Sequence, residues 1–241
     1  MNTPYFAEDL DSMEFAVNYH RWIYDIFKPF IGKRIVEVGA GTGLFSKLLL
    51  ENNPDSLSLI EPSQVYNKLT KQIHSHNTTT KIKTYNSIFT NVCDEIKHNQ
   101  NPDTIVYINV LEHIEDDLEE LATMNKTLCT AGHILIFVPA LSWAYGTMDE
   151  LLGHYRRYTL SELKGKCEAA GFSVVSARYF DFVGIFPWWL RYRVLKSKKF
   201  MEPSAVKFFD TYIVPIIRRV ESNMRFPLGK NLILIAEKRS K

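Results

Sequence analysis

Three glycines at alternate positions, Gly39, Gly41 and Gly43, follow the apolar run Ile35–Val38. Because glycine has no Cβ, its backbone can adopt positive φ and let a ligand lie directly against the main chain. A helix predicted from Leu44 to about Leu50 points its free N–H groups at the same place. The order of strand, glycine turn and helix therefore predicts a cradle for a nucleotide cofactor.

The spacing of these glycines separates the classes of nucleotide site. A dinucleotide site expects G-x-G-x-x-G, whereas the third glycine here comes one residue early and Leu44 stands at the dinucleotide position. No Lys followed by Ser or Thr completes a P-loop, so a triphosphate is not expected. Glu61 ends the next predicted strand, Ser56–Ile60, where a carboxylate roughly 20 residues beyond the glycines would hold a ribose diol.

Three segments together resemble the class I S-adenosylmethionine-dependent methyltransferases: Glu37–Gly43, Glu61, and Asn109–Ile114 after a fourth predicted strand, Asp103–Ile108. The resemblance covers roughly residues 30 to 180. It implies that Glu37 and the glycines lie along the methionine part of the cofactor and that Glu61 holds the ribose. Many members place an acidic and a small residue at the adenine, where this chain has Asn86 and Ser87. The implied cofactor-binding residues are Glu37, Gly39, Ala40, Gly41, Gly43, Glu61, Pro62, Asn86, Ser87, Asn109 and Val110.

His113 is the predicted general base. It follows the fourth strand at the end where ligands bind in parallel sheets, and an unperturbed histidine pKa near 6.5 suits proton removal from a hydroxyl or amine. The alternative is that His113 braces its loop and that catalysis is mainly alignment of acceptor, methyl and sulfur. His154 is the alternative base.

The loop after the fifth predicted strand, Ile134–Val138, combines aromatic, acidic and basic residues over Pro139–Tyr158. Long mixed loops at this end of a sheet are commonly functional, and the run Gly153–Tyr158 resembles one bacterial methyltransferase subgroup. Its two arginines could fork onto a carboxylate or phosphate of the acceptor, or pair with Asp149 and Glu150 and brace the loop. The predicted substrate-binding residues are Tyr19, Trp143, Tyr145, Tyr155, Arg156 and Arg157.

Two helical segments flank the predicted core. An aromatic helix from Met13 to about Phe27 precedes the first strand; its Tyr19, His20 and Trp22 either contact ligand or only pack on the core. About 50 residues separate the sixth strand, Phe172–Phe180, from the last one, Asn231–Glu237. This insertion begins with aromatic residues and then turns basic, which suits a lid, a membrane-surface contact through residues 182–200 or a homodimer interface.

The second helix of the insertion is predicted over about Ser204 to Ser222, with a kink at Pro215. Its predicted apolar side consists of Val206, Phe209, Ile213, Ile216, Ile217 and Val220.

Composition, charge and cysteine usage limit the other kinds of partner, site and location that the chain could have. The 241 residues carry a formal net charge of only +2, which argues against a nucleic-acid partner. The cysteines, Cys93, Cys129 and Cys167, form no C-x-x-C pair, and His74 and His76 do not share a helix face, so neither disulfides nor a metal site are predicted. The first nine residues lack the pattern of a secretory signal, and a cytoplasmic location, optionally peripheral to the membrane, is expected.

The sequence therefore predicts an α/β fold: a Rossmann-like seven-stranded methyltransferase sheet with helices on both faces and a helical insertion before the last strand. The predicted segments are a helical lid (1–31), the cofactor-binding core (32–181), the insertion (182–230), and the last strand with the tail (231–241). The predicted function is methyl transfer from S-adenosylmethionine to an oxygen or nitrogen of a small-molecule or lipid-linked acceptor. The alternatives are a non-catalytic cofactor-binding partner subunit and an NAD-dependent oxidoreductase.

Overall fold

Seven strands form one sheet, in the order β3-β2-β1-β4-β5-β7-β6, in the computed structural model, which describes residues 15–75 and 77–239. Strands β1 to β5 pair in parallel, and β7 lies antiparallel between β5 and β6. The predicted seven-stranded α/β sheet is confirmed. The strands are β1 Arg34–Val38, β2 Ser56–Ile60, β3 Lys81–Tyr85, β4 Thr104–Ile108, β5 His133–Pro139, β6 Phe172–Phe180 and β7 Asn231–Lys238.

Among the described residues, seven α-helices accompany the sheet up to the end of β6. Neighbouring strand residues point to opposite faces, so Ile35 belongs to the hydrophobic cluster that includes α1, and Val36 to the cluster on the other face. Both faces of the sheet are therefore covered, as predicted. These helices are α1 Val17–Phe27, α2 Leu44–Leu50, α3 Tyr66–His74, α4 Phe89–Gln100, α5 Asp117–Thr127, α6 Thr147–Leu152 and α7 Leu160–Ala169. Met13 and Glu14, where the first helix was expected to begin, lie outside the described residues.

The insertion is helical, as predicted. Helix α8 (Ile185–Trp188) continues as π-helical turns over Trp189–Val194. Helices α9 (Pro203–Phe208) and α10 (Val214–Asn223) are joined by π-helical turns over Phe209–Ile213. Within residues 15–75 and 77–239, none of the helices combines the length and the hydropathy that crossing a bilayer requires.

The inward side of the α9–α10 segment differs from the prediction. Ile216 and Val220 were expected to face inward, but they are 64% and 45% exposed. A π turn contains more residues than an α turn, and the missing N–H of Pro215 removes an α-helical hydrogen bond at this point, so the register shifts after Phe209. The inward positions are Val206, Asp210, Val214, Ile217 and Glu221. Two of these five inward-facing residues, Asp210 and Glu221, are acidic, so a pattern of apolar residues does not predict their burial.

Candidate active site

A cavity of about 270 Å³ lies at the carboxyl ends of β1, β4 and β5. Residues of helix α1 and of the insertion complete its lining. Its lining joins the glycine turn to the loops after β4 and β5, so the two predicted halves of the site share one space. The lining residues include Tyr19, His20, Glu37, Gly39, Ala40, Gly41, Thr42, Asn109, Glu112, His113, Met148, His154, Arg157, Trp188, Tyr192, Lys230 and Asn231.

The glycine turn has the backbone conformation that its sequence predicts. Gly39, Gly41 and Gly43 have φ values of +70°, +54° and +87°, in the region that side chains with a Cβ rarely adopt. A Cβ on Gly39 would lie 2.3 Å from Cγ2 of Val110. Val110 therefore packs against the outside of the turn, and Gly39 is required for this contact as well as for the cavity.

Glu61 connects the end of β2 to the glycine turn. Its carboxylate accepts the backbone N–H of Gly41 at 2.8 Å and that of Ser63 at 2.9 Å, and the side chain is buried. A carboxylate has about four lone-pair sites, so two accepted bonds leave capacity for two hydroxyl donors.

Glu37, at the end of β1, is a buried carboxyl group that lines the cavity. Burial is the main cause that raises its pKa to about 8, and the nearby Glu61 adds to the shift. The hydroxyl of Ser46 donates to Glu37 at 2.5 Å. In the ligand-free chain Glu37 is therefore largely protonated at neutral pH, and a cation placed beside it would favour its ionised form.

The other implied cofactor residues occupy two kinds of position. Asn109 lines the cavity with a φ of +53°, and its N–H donates to the carbonyl of Phe137. Pro62 and Asn86 are exposed and Ser87 is half-buried, beyond the ends of β2 and β3, and none of the three lines the cavity. Contacts from these three residues to an adenine remain a prediction.

Glu112, His113 and His154 form a compact polar group in the cavity. One potential ligand atom of each lies within 4.8 Å of those of the others, and the two histidine rings are 4.6 Å apart. Glu112 is fully buried, and neither of its carboxylate oxygens has a hydrogen-bond partner among the described residues. Nδ1 of His154 is bonded to Asp149 at 2.8 Å.

The environment of this group changes the proton chemistry expected of His113. Burial, with a contribution from His154, lowers the pKa of His113 to about 3, so the imidazole stays neutral at physiological pH. The unperturbed pKa near 6.5 on which the general-base argument was founded does not hold here. Burial raises the pKa of Glu112 to about 7. Sequence reasoning did not select Glu112, although it lies in the same Leu111–Ile114 segment, because its burial cannot be read from local spacing.

The two arginines of the loop after β5 have different partners. Arg157 is buried; its Nε donates to Asp149 at 2.8 Å and a terminal nitrogen donates to the carbonyl of Ala140 at 3.1 Å. Arg157 therefore matches the alternative in which an arginine pairs with Asp149 and braces the loop. Arg157 also lines the cavity. Arg156 instead pairs with Asp117 at 2.7 Å, so its predicted pairing with Asp149 or Glu150 is wrong. Its side chain turns toward α5, outside the cavity lining.

Comparison with known proteins decides the family. Residues 15–177 match the model of a family described as a methyltransferase domain, which is more than half of the chain. The chain belongs to this methyltransferase family. It is a class I, S-adenosylmethionine-dependent methyltransferase by fold and family, so the predicted cofactor is confirmed and the NAD-dependent oxidoreductase alternative loses its support.

Solved structures share the fold of this methyltransferase at low sequence identity. An S-adenosylmethionine-dependent methyltransferase from Mesorhizobium loti is 13% identical with a TM-score of 0.58, over 89% of this chain and 95% of that one. A Burkholderia thailandensis 1,6-didemethyltoxoflavin N1-methyltransferase, solved with its substrate and S-adenosylhomocysteine, is 14% identical with a TM-score of 0.57, over 92% and 78%. A cyclopropane synthase from Mycobacterium tuberculosis is 13% identical with a TM-score of 0.59, over 89% and 82%. A comparison with curated proteins finds no sequence match.

Some of the remaining residues that were predicted to bind the acceptor line the cavity, and the others lie outside it. Tyr19 and His20 line the cavity, whereas Trp22 is buried and packs on Phe180. Trp143 and Tyr155 are each 51% exposed and lie outside the lining. The hydroxyl of Tyr145 donates to the carbonyl of His154 at 2.7 Å and thereby holds the loop. The structure therefore does not bring Trp143, Tyr145, Tyr155 and Arg156 into the cavity.

The insertion supplies lining residues of the methyltransferase that sequence reasoning missed. Trp188 and Tyr192 come from α8 and its π turns, Lys230 is the last residue of the insertion, and Asn231 is the first residue of β7. Asn231 donates to the hydroxyl of Tyr19 at 2.7 Å, and that hydroxyl donates to Asp181 at 3.0 Å. The aromatic residues at the start of the insertion could have indicated this contribution to the lining, because a lid was one interpretation of that segment.

Proposed function

We propose that this methyltransferase transfers the methyl group of S-adenosylmethionine to an oxygen or nitrogen of a small-molecule or lipid-linked acceptor. The observation that carries the proposal is the single cavity that runs from the glycine turn to Glu112, His113 and His154. A cofactor in the glycine turn would place its sulfonium methyl between these two halves.

The cofactor half matches the chemistry of a sulfonium amino acid joined to a nucleoside. The carboxylate of Glu37 would accept the ammonium of the methionine part, and Glu61 would accept the two ribose hydroxyls. The positive-φ glycines let the main chain approach the ligand closely. Burial and a place in the cavity lining support the assignment of Glu37. Glu61 is buried outside the lining, and its hydrogen bond to the N–H of Gly41, which does line the cavity, supports its assignment.

The acceptor half offers few polar groups in an otherwise largely aromatic and aliphatic space. Nε1 of Trp188 is buried and has no hydrogen-bond partner within the described parts of the chain. It would donate to a polar atom of the acceptor. In the reaction the S–CH3 bond breaks as the bond from methyl to the acceptor atom forms, S-adenosylhomocysteine leaves, and the acceptor loses one proton. Proximity and exclusion of water supply much of the rate enhancement in such a transfer.

The surface of the insertion favours an acceptor at a lipid surface. Residues 182–230 contain ten Lys or Arg and three Asp or Glu, a net charge of +7 (10 − 3), so the rest of the chain carries −5 (+2 − 7). Two of those acids, Asp210 and Glu221, are buried. The insertion therefore presents an almost purely basic surface, which attracts anionic lipid head groups.

Exposed apolar side chains concentrate on the same segment. Of the nineteen large hydrophobic residues that are exposed in the described part of the chain, twelve lie between residues 182 and 228. Phe208, Tyr212 and Ile216 recur every four residues along α9–α10 and are 59%, 61% and 64% exposed. An apolar stripe beside basic residues is typical of a helix that lies in a membrane interface. Because other residues of this insertion line the cavity, an acceptor with a lipid tail could enter from that surface.

The proposal is tested by labelling cell extract with methyl-labelled S-adenosylmethionine in the presence of the purified protein. The extract is separated into aqueous and lipid fractions, and a Gly41→Val variant serves as the cofactor-deficient control. One labelled product class that depends on the wild-type protein is expected, in the lipid fraction if the acceptor is lipid-linked. Cofactor binding without any labelled product would instead support the non-catalytic partner subunit.

A further inference from the structure

Glu112, His113 and His154 have the composition of a three-ligand metal site. We infer that these residues bind one divalent transition-metal ion of the Zn²⁺ type beside the methyl-transfer position. No metal-binding pattern was predicted from the sequence, because Glu112 and His154 are more than forty positions apart in the chain. The role of the ion in catalysis rests on the proposed function, whereas its binding does not.

The geometry of the group is close to that of a metal site. The three potential ligand atoms lie within 4.8 Å of one another. Zn²⁺ sits about 2.0–2.2 Å from nitrogen and oxygen ligands, which places ligand atoms roughly 3–4 Å apart. The widest of these separations therefore has to shorten by about 1 Å around an ion.

Both histidines are already oriented by other groups. Nδ1 of His154 is held by the buried carboxylate of Asp149 at 2.8 Å, which leaves Nε2 to face the cavity. The ring of His113 packs edge-on against that of His154, with the ring centroids 4.6 Å apart. Metal-ligating histidines characteristically give their second ring nitrogen to a carboxylate or a backbone carbonyl.

The unpartnered carboxylate of Glu112 is the observation that points to a bound cation. Its side chain is fully buried in the cavity wall, and both oxygens lack a partner among the residues that the structure describes. A buried carboxylate without hydrogen bonds or a counter-charge is costly. Arg157, a cation that also lines the cavity, is already paired with Asp149 at 2.8 Å. The group therefore has one uncompensated acid, which a cation would neutralise.

The ligand set indicates the class of ion. Two imidazoles and one carboxylate suit Zn²⁺ and neighbouring transition metals, whereas Mg²⁺ and Ca²⁺ prefer oxygen ligands alone.

A metal at this position would specify an oxygen acceptor. Three protein ligands leave a coordination position open, and an acceptor hydroxyl bound there would lose its proton to solvent more readily, because a metal lowers the pKa of a bound hydroxyl. The resulting oxygen anion attacks the methyl carbon, the C–S bond breaks with its electron pair going to sulfur, and neutral S-adenosylhomocysteine leaves. The inference therefore favours O-methylation over N-methylation.

The test is a metal titration of the chelator-treated chain, followed by calorimetry with Zn²⁺ and by the visible absorption of Co²⁺. One equivalent is expected, with a Co²⁺ spectrum of low coordination number. His154→Gln and Glu112→Gln should each weaken binding at least tenfold and change the spectrum, whereas His98→Ala, at an exposed position on α4, should leave both unchanged. Circular dichroism shows whether one of the two ligand variants fails to fold. In that case the metal affinity of the other variant tests the site.

Two results would overturn the metal inference: no binding to the wild-type chain, or binding that neither variant weakens. Calorimetry with S-adenosylhomocysteine on the same samples separates this outcome from failure of the proposed function. Cofactor binding with full methyl transfer after chelation rejects a catalytic role of the metal and keeps the methyltransferase. Metal binding without cofactor binding keeps the site and rejects the function.

Discussion

The carboxylate of Asp210, in the insertion, accepts the backbone N–H of Tyr19, in α1, at 2.9 Å. Its second oxygen accepts the N–H of Asn18, also at 2.9 Å. Helix α1 has no side-chain cap of its own, so a residue nearly two hundred positions later supplies it. Because Tyr19, Asp210 and Val214 all line the cavity, this contact joins α1 and the insertion into one cover over the site.

Removing this cap should loosen the cover as well as destabilise the chain. Asp210→Ala is expected to lower the free energy of unfolding by about 0.5–2 kcal/mol and to weaken S-adenosylhomocysteine binding, because two N–H groups beside the cavity lose their acceptor. Urea denaturation and calorimetry measure the two effects. Asp116→Ala is the matched control: Asp116 caps α5 through Glu119 at 2.9 Å and does not line the cavity. It should lose similar stability and keep its affinity; an equal loss of affinity in both variants would argue against the joint cover.

A second prediction compares a glycine of the glycine turn, Gly41, with a glycine of helix α7, Gly165. Gly41→Val is expected to reduce S-adenosylhomocysteine affinity at least tenfold, because Gly41 has a φ of +54° and lines the cavity. Gly165→Ala is the control, since Gly165 lies in α7 and an added Cβ there meets nothing within 4 Å. It should gain about 0.5–1 kcal/mol in stability and bind normally. Undiminished affinity in Gly41→Val would refute the placement of the cofactor.

The buried carboxyl of Glu37 predicts proton release on cofactor binding. Because its pKa is raised to about 8, it is mostly protonated at pH 7, and an ammonium beside it would expel the proton. Calorimetry in buffers of different ionisation enthalpy should detect up to about one released proton near pH 7, and affinity should rise between about pH 6 and 7.5. Glu37→Gln should release none and bind more weakly; a wild-type binding enthalpy independent of buffer would contradict the assignment.

The same group affects the stability of the ligand-free chain. The pKa of Glu37 is 4.5 in the unfolded reference and about 8 in the fold, so the native state holds the extra proton across that window. The contribution of Glu37 to the free energy of unfolding therefore falls as pH rises from 4.5 to 8. Glu37→Gln should show a flatter dependence than the wild type in urea denaturation at several pH values. Parallel curves would show that Glu37 ionises normally.

How far the sequence predicted this molecule depends on whether a feature is local. The glycine turn and the strand of Glu61 were readable because spacing and alternation act over a few residues. Glu112 and His154 meet only when β4 and β5 pair, so their proximity was not readable. One of the two alternatives for Arg156 paired it with its sequence neighbours Asp149 and Glu150, and the structure gives Asp117 on α5 instead. The exposed positions of Ile216 and Val220 depend on π turns that an α-helical period does not represent.

Those exposed positions lead to a prediction about lipid. The wild-type protein should sediment with vesicles containing anionic lipid, and less so when salt is raised from about 0.1 M to 0.5 M, because the basic surface is screened. Phe208→Ser combined with Ile216→Ser should reduce binding several-fold. Ile88→Ser, which removes a residue that is 52% exposed outside the insertion, is the control. A change of molecular mass in light scattering without any vesicle binding would favour the homodimer alternative.

The most direct measurement is a crystal structure with S-adenosylhomocysteine bound. The account predicts the nucleoside against Gly39–Gly43, its ribose hydroxyls on Glu61, its ammonium on Glu37, and its sulfur facing Glu112, His113 and His154. A nucleoside seated elsewhere, with the glycine turn empty, would contradict it.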